Sequence, residues 1–234
     1  MSDLTLTRGR ITFGGELARL YRAGSDAELE DILRFGFRPG AGTMETKLFT
    51  TSAEDAAFFA RSILFPLHQK PLTIVEVEIP DSLASRLFHF TTDGKTTIAV
   101  ERNLLSEFNA AAGIRPLPLP RCQPREVAML HVTARIKLLK TEEGGRTSWV
   151  RSGYRPNIRF GDLYTDGALT FLDHQQASPG DTCEVRVTFA NPDYVRAYLR
   201  VGVCFDITEG PRKVREGVIL SIPENQDQSK MAFS

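Results

Sequence analysis

The sequence predicts an α+β domain followed by an all-β barrel, and three observations carry that reading. Helical and strand patterns alternate over residues 16–109. Four prolines, Pro116, Pro118, Pro120 and Pro124, then crowd one short stretch, which reads as a stiff extended linker. Beyond it the apolar period becomes two, the spacing of strands that bury one face. A chain of 234 residues has room for two such units, since domains commonly run about 100–150 residues. The expected boundaries are an arm over 1–15, the α+β domain over 16–113, the linker over 114–125, the barrel over 126–222 and a polar tail over 223–234.

The arm reads as a short strand or loose segment ending at Gly14-Gly15. Ser25-Asp26-Ala27-Glu28 has the form of a capping box, in which the serine oxygen accepts a free helix N–H and the glutamate reaches back. Leu29, Ile32 and Leu33 follow at helical spacing, and Gly36 can end that helix because glycine tolerates the left-handed backbone. Residues 47–51 form a short strand, and Ser52-Ala53-Glu54-Asp55 repeats the capping pattern before Ala56, Phe59, Ala60 and Ile63. The β-branched run 72–79 is the clearest strand of this half, stopped by Pro80. Asp93-Gly94 marks a turn into a further strand over 96–100. In the second half Ala134/Ile136/Leu138, Val185/Val187/Phe189 and Val201/Val203/Phe205 each alternate toward one face. Turn signals between such short strands argue a closed barrel.

The hydrophobic share of 41% and charged share of 25% are those of an ordinary soluble globular chain. A net charge of zero sets aside any global attraction to nucleic acid or anionic membrane. Locally, residues 135–159 carry Arg135, Lys137, Lys140, Arg146, Arg151, Arg155 and Arg159 against Glu142 and Glu143, which reads equally as a solvated barrel face or a contact for RNA phosphates. Cys122, Cys183 and Cys204 stand apart, with no paired histidines, so metal spacing is absent. Cys183 and Cys204 fall in apolar strand patterns, where a thiol acts as a small hydrophobe. His68, His89, His131 and His174 have no nucleophile beside them in sequence. The absence of GxxxxGK[ST] and GxGxxG argues against nucleoside triphosphate hydrolysis. No signal segment opens the sequence and no apolar run reaches membrane-spanning length, so a cytoplasmic location is expected and no membrane partner.

Five pieces of the second half stand in a recognisable order: residues 132–140, Glu142-Glu143-Gly144-Gly145-Arg146, Gly153-Tyr154-Arg155-Pro156 with Phe160 behind it, Pro179-Gly180-Asp181, and Arg200…Glu209-Gly210-Pro211-Arg212…Gly217-Val218. Over residues 132–220 the chain resembles the third domain of bacterial elongation factor Tu. The resemblance implies a six-stranded barrel and contact with translation components, a partner of the translation factor or tRNA, through Arg146, Arg155 and Gly217. Arg215-Glu216 stands where that domain has a small Gly-Ala pair, adding bulk and a negative charge. Turn roles account for Gly153, Pro156 and Gly217 as readily as contact roles do.

In the first half, Tyr21-Arg22, then Phe49-Thr50-Thr51-Ser52 leading into a helix, then Glu101 after Val100 follow one another. In this order, over residues 18–110, they resemble the signature of ADP-ribosyltransferases, small toxin-like bacterial ones in particular. The resemblance implies NAD as cofactor. Arg22 would bond its phosphates bidentately, with Tyr21 alongside. Thr51 and Ser52 would brace the site, and Phe49 would stack on nicotinamide. Glu101 would stabilise the oxocarbenium-like charge that grows as nicotinamide leaves. The chain departs from the pattern at Thr50, commonly a serine, and at Ala99, where a Gln or Glu is usual two residues before the catalytic glutamate. Glu76-Val77-Glu78 has that spelling earlier in the chain, and Glu126 is a second candidate for the late glutamate. Plainer roles compete: Ser52 as a helix cap, Arg22 as a surface residue, Glu101 as a carboxylate opening a helix. Two functions follow, an NAD-dependent transferase targeted by its barrel, or a non-catalytic binding module for translation components.

Overall fold

A computed structural model describes residues 16–40, 42–65, 72–117 and 129–223, together with two two-residue strands of the arm, β1 (Leu6–Thr7) and β2 (Arg10–Ile11). Cys122, Glu126, His68, Pro118, Pro120, Pro124, the rest of the arm and the tail beyond Pro223 lie outside the described residues.

The first half is built on β3 (Leu17–Ser25), which runs antiparallel to β5 (Leu72–Pro80) along its whole length. On its other side β3 meets β4 (Lys47–Thr50) through one residue pair, Tyr21 opposite Thr50. Adding β6 (Phe88–Thr92), β7 (Lys95–Val100) and β8 (Gly113–Leu117) gives an antiparallel sheet of order β6–β7–β4–β3–β5–β8. Residues 114–117, expected in the linker, therefore form an edge strand of the first half, and Pro116 is tolerated because an edge can lack one donor.

Helix α1 (Asp26–Phe35) starts at Ser25, whose Oγ accepts from the Glu28 N–H at 3.3 Å. Glu28 does not complete the expected box, because its carboxylate turns to Arg22 instead. Gly36, at φ 76°, ends the helix with its N–H on the Ile32 carbonyl. Helix α2 (Ala53–Phe59) is capped by Ser52, which accepts from Asp55 N–H at 3.1 Å. On one face of the sheet α1 and the helix Leu105–Ala111 bury Ile32, Phe37, Phe49 and Phe108 against Leu20, Val75, Val77 and Ile98. The rings of Phe37, Phe49 and Phe108 meet at 5.1–5.6 Å, contacts worth about 0.5–1.5 kcal/mol each beyond their burial. On the other face α2 lays Ala56 and Ala57 over Ile74.

The second half closes on itself. Strands β9 (Leu130–Leu138), β11 (Asn157–Phe160), β12 (Leu163–Phe171), β14 (Thr182–Phe189), β15 (Cys204–Glu209) and β16 (Arg212–Ser221) pair antiparallel in the order β11–β15–β16–β9–β14–β12. Strand β12 then returns to β11, completing a six-stranded barrel with no free edge. A two-residue ribbon, β10 (Val150–Arg151) with β13 (Gln176–Ala177), lies outside this ring. Ala134, Ile136, Leu138, Val185, Val187 and Phe189 fill the interior as their alternation predicts. The third set holds in part: Phe205 is buried in the core, Val203 packs against it and Cys204 between them is exposed, but Val201 is 65% exposed in the turn before the strand.

Several contacts among the described residues join the halves. The β6–β7 turn, with Asp93 and Gly94 both left-handed at φ 51° and 74°, docks on β12 and brings Thr92 beside Tyr164. There Asp93 accepts from Thr165 Oγ1 at 2.7 Å and from Asp166 N–H at 2.9 Å. The β15–β16 turn approaches β7 so closely that a Cβ on Gly210 would stand 2.8 Å from that of Ala99. Residues 43–45 engage a buried ion network of the barrel, described below.

Candidate functional site

Beyond the single pair Tyr21 and Thr50, β3 and β4 part, and the split opens a cavity of about 710 Å³ between the sheet and the barrel. That volume suits a small-molecule ligand, for which pockets of about 300–1,000 Å³ are usual. Arg22 spans the gap: Nη1 donates to the Leu48 carbonyl at 2.9 Å, while Nε and Nη2 donate to Glu28 at 3.1 and 2.9 Å. Tyr21, Thr50 and Thr97 line the sheet side, Glu28 and Asp31 the helix side, and Tyr154, Arg155, Asn157 and Asp166 the barrel side.

Of the residues expected to hold a cofactor, Arg22, Tyr21 and Phe49 line this cavity. The Phe49 ring is packed against Phe37 and Phe108 and only 1% exposed, so no open face is left for stacking. Thr51 and Ser52 stand outside the lining, and Ser52 gives its oxygen to the α2 cap. Thr50 takes their place, with Oγ1 donating within reach of the Tyr21 and Ser52 carbonyls at 3.2 and 2.9 Å. Glu101 is not brought to Arg22. Register sets Thr50 opposite Thr97 and Lys47 opposite Val100, which carries Glu101 past the far end of β4. Arg22 reaches the Leu48 carbonyl opposite Ala99, so Glu101 stands two residues beyond that point and outside the cavity lining.

The cavity is electrostatically uneven. Burial lowers the Lys47 pKa to about 8, with Arg22 adding to the effect. Burial alone would raise that of Glu28, but Arg22, Lys47 and Arg155 together hold it below the usual carboxylate range. Burial first, and then the Glu76 carboxylate, push the Tyr21 phenol upward. On the barrel wall Arg155 donates to Asp166 Oδ2 at 2.5 Å. Three buried atoms of this wall, Arg155 Nε, Asn157 Oδ1 and Asp166 Oδ1, have no hydrogen-bond partner among the described residues.

The barrel residues expected to touch a partner are placed differently from that expectation. Arg146 is 1% exposed and ion-paired with Glu209, and it also donates to the Thr43 carbonyl at 2.6 Å. Glu209 accepts in addition from Tyr154 Oη at 2.7 Å and Glu45 N–H at 2.8 Å. Glu45 accepts from Thr147 Oγ1 at 2.7 Å and Arg212 at 2.8 Å. Arg146 thus latches the halves together. Gly217 is interior, where a Cβ would lie 2.3 Å from the Phe205 ring, and Arg155 faces the cavity. The wider basic segment is largely neutralised, as Arg135 pairs with Glu184 and Arg159 with Asp206.

Sequence reasoning missed Lys47, Glu28, Asn157 and Asp166. Glu28 carried the signal of a helix cap, and Lys47 that of a strand end. Asn157 and Asp166 lie directly opposite one another on β11 and β12, a pairing visible only once the barrel register is known.

No family model matches the chain. Over 92 residues, 39% of its length, it is 36% identical to elongation factor Tu 2 of Streptomyces avermitilis. The chain spans about a quarter of that relative, 23% of its length. With the closed six-stranded antiparallel barrel, this similarity marks the second half as translation-factor-like. Among the described residues no helix is long and apolar enough to cross a membrane, and no group of three or more His, Cys, Asp or Glu side chains could hold a metal ion.

Proposed function

We propose that the chain binds NAD or a closely related nucleotide in the cavity between the split sheet and the barrel, as an ADP-ribosyltransferase-like protein. The observation that carries this reading is the convergence of Arg22, Tyr21 and Thr50 at the one point where β3 and β4 separate. A guanidinium there, held by Glu28 and the Leu48 carbonyl, can offer its remaining N–H groups to ribose oxygens of the ligand, and the tyrosine and threonine supply an aromatic edge and a hydroxyl. The barrel holds one wall of the site, and its outer surface is free to direct the protein to a translation factor, an elongation factor Tu partner or tRNA.

The absence of Glu101 from the cavity lining favours a second reading, a binding module without transfer activity. Titration calorimetry of NAD into the full chain separates the two. We expect binding to the wild type, at least tenfold weaker binding to Arg22→Ala, and unchanged binding to Glu101→Ala. Nicotinamide release by the wild type would support transfer chemistry, and binding without release would support the module. No heat at millimolar NAD sinks both nucleotide readings.

A further inference from the structure

The cations that line the cavity are not equivalent. Arg22 pairs with Glu28, Arg38 with Asp31 and Arg155 with Asp166. Lys47 makes no hydrogen bond or ion pair within the described residues, although it lines the same space. Among the described residues, the carboxylates that act on it are Glu28 and Asp31 of α1, and both are committed to arginines. Glu28 is influenced at once by Arg22 from β3, Lys47 from β4 and Arg155 from the barrel, so three cations from three elements crowd one carboxylate. Excess charge in a partly dehydrated space is costly until an opposite charge joins it. Independently, Arg155 lines the opposite wall, where only its Nη2 meets a carboxylate and its enclosed Nε–H has no acceptor among the described residues.

We propose that Lys47 of the sheet and Arg155 of the barrel form a composite anion seat that takes the phosphate or diphosphate group of the cavity's ligand. A lysine offers a point charge and an arginine a directional fork, a combination suited to a tetrahedral oxyanion approached from two sides. The inference rests on the reading of the cavity as a ligand site and adds what that reading lacks, a working role for the barrel. It also gives the seat a proton signature. Lys47 is held down to about 8 by burial and by Arg22, against the opposing pull of Glu28 and Asp31, which brings its titration into the accessible pH range. An arriving anion restores the proton.

The test is calorimetry on the full chain at pH 8, in two buffers of different ionisation heat, with inorganic diphosphate, ADP-ribose and NAD as separate probes. The wild type is expected to bind diphosphate with net proton uptake. Lys47→Met and Arg155→Met should bind it at least tenfold more weakly, and Lys47→Arg should bind it without the uptake. Equal diphosphate binding by wild type and both methionine variants overturns the seat. NAD binding that is equal in all three overturns the seat while leaving the nucleotide reading intact. Diphosphate binding through these residues with no response to NAD or ADP-ribose supports the seat and removes the nucleotide reading. No binding of any probe overturns both. Lys47→Arg, which keeps charge and size, guards against a variant that fails to fold.

Discussion

Two polar regions lie between the halves of this protein, and they are finished to different degrees. In the latch, Arg146, Glu45 and Glu209 give every charged atom a partner: Arg146 reaches Glu209, Thr43 and Ser148, and the four carboxylate oxygens are all occupied. In the cavity wall Asn157 is as deeply buried, Arg155 and Asp166 are 18% and 12% exposed, and one atom of each has no partner among the described residues. Buried polar groups are nearly always satisfied, because an unmade bond costs about 1–3 kcal/mol. A region that satisfies itself is structural. The unpartnered atoms of the cavity wall are closed to solvent as they stand, so a ligand that completes them must first shift these side chains.

The largest expected effect falls on the latch. Arg146→Met removes the main cation from Glu209, which keeps Arg212 at 3.3 Å, Tyr154 Oη and the Glu45 N–H, and should cost about 3 kcal/mol in chemical denaturation. A loss below 1 kcal/mol would mean that the network does not hold the halves together. Arg215 should move stability the other way. Its guanidinium lies inside the barrel 4.5 Å from the Tyr154 ring centre, with all three nitrogens unbonded, and burial lowers its pKa to about 10. Arg215→Met keeps the volume and removes the buried charge, so the denaturation midpoint should rise by the equivalent of about 1–2 kcal/mol. A fall would show that the ring contact compensates the charge fully.

The smallest effects are in pH dependence, where the latch and the joint at Asp93 have opposite signs. Burial works against the ionised Glu45, but Arg212 and Thr147 prevail and hold its pKa near 2, below the ordinary 4.5. Its stabilisation is complete above pH 4.5 and is lost as pH falls through about 2. Burial raises Asp93 from 3.8 to about 7 despite two hydrogen bonds. Its contribution is complete below pH 3.8 and is lost as pH rises through 7. Thermal melting should therefore be highest near pH 4–5 as far as these groups decide it. Asp93→Asn should flatten the decline toward pH 7 and leave the acid limb unchanged.

The sequence made the regular elements legible and the buried charges illegible. Ser25, Gly36 and Ser52 announced the ends of α1 and the start of α2, and the alternation around Ile136 and Val187 announced barrel strands. These signals are local. Pro116 misled because an edge strand tolerates what a central strand does not. Arg146 stood in a glycine-rich turn that reads as surface, yet its partners Thr43 and Glu209 are 103 and 63 residues away. The cavity was legible in part: Tyr21 and Arg22 were visible as a pair, but Lys47 and Asn157 gained their meaning from the split of β3 from β4 and from the docking of the barrel.

The measurement that tests the contrast most directly is a nuclear magnetic resonance titration of the isotope-labelled full chain with NAD. It would follow the Asn157 side-chain amide and the Nε–H signals of Arg155 and Arg146. The account predicts that Asn157 and Arg155 shift on binding while Arg146 stays in place. Shifts confined to Arg146, or binding that leaves Asn157 and Arg155 unmoved, would contradict it.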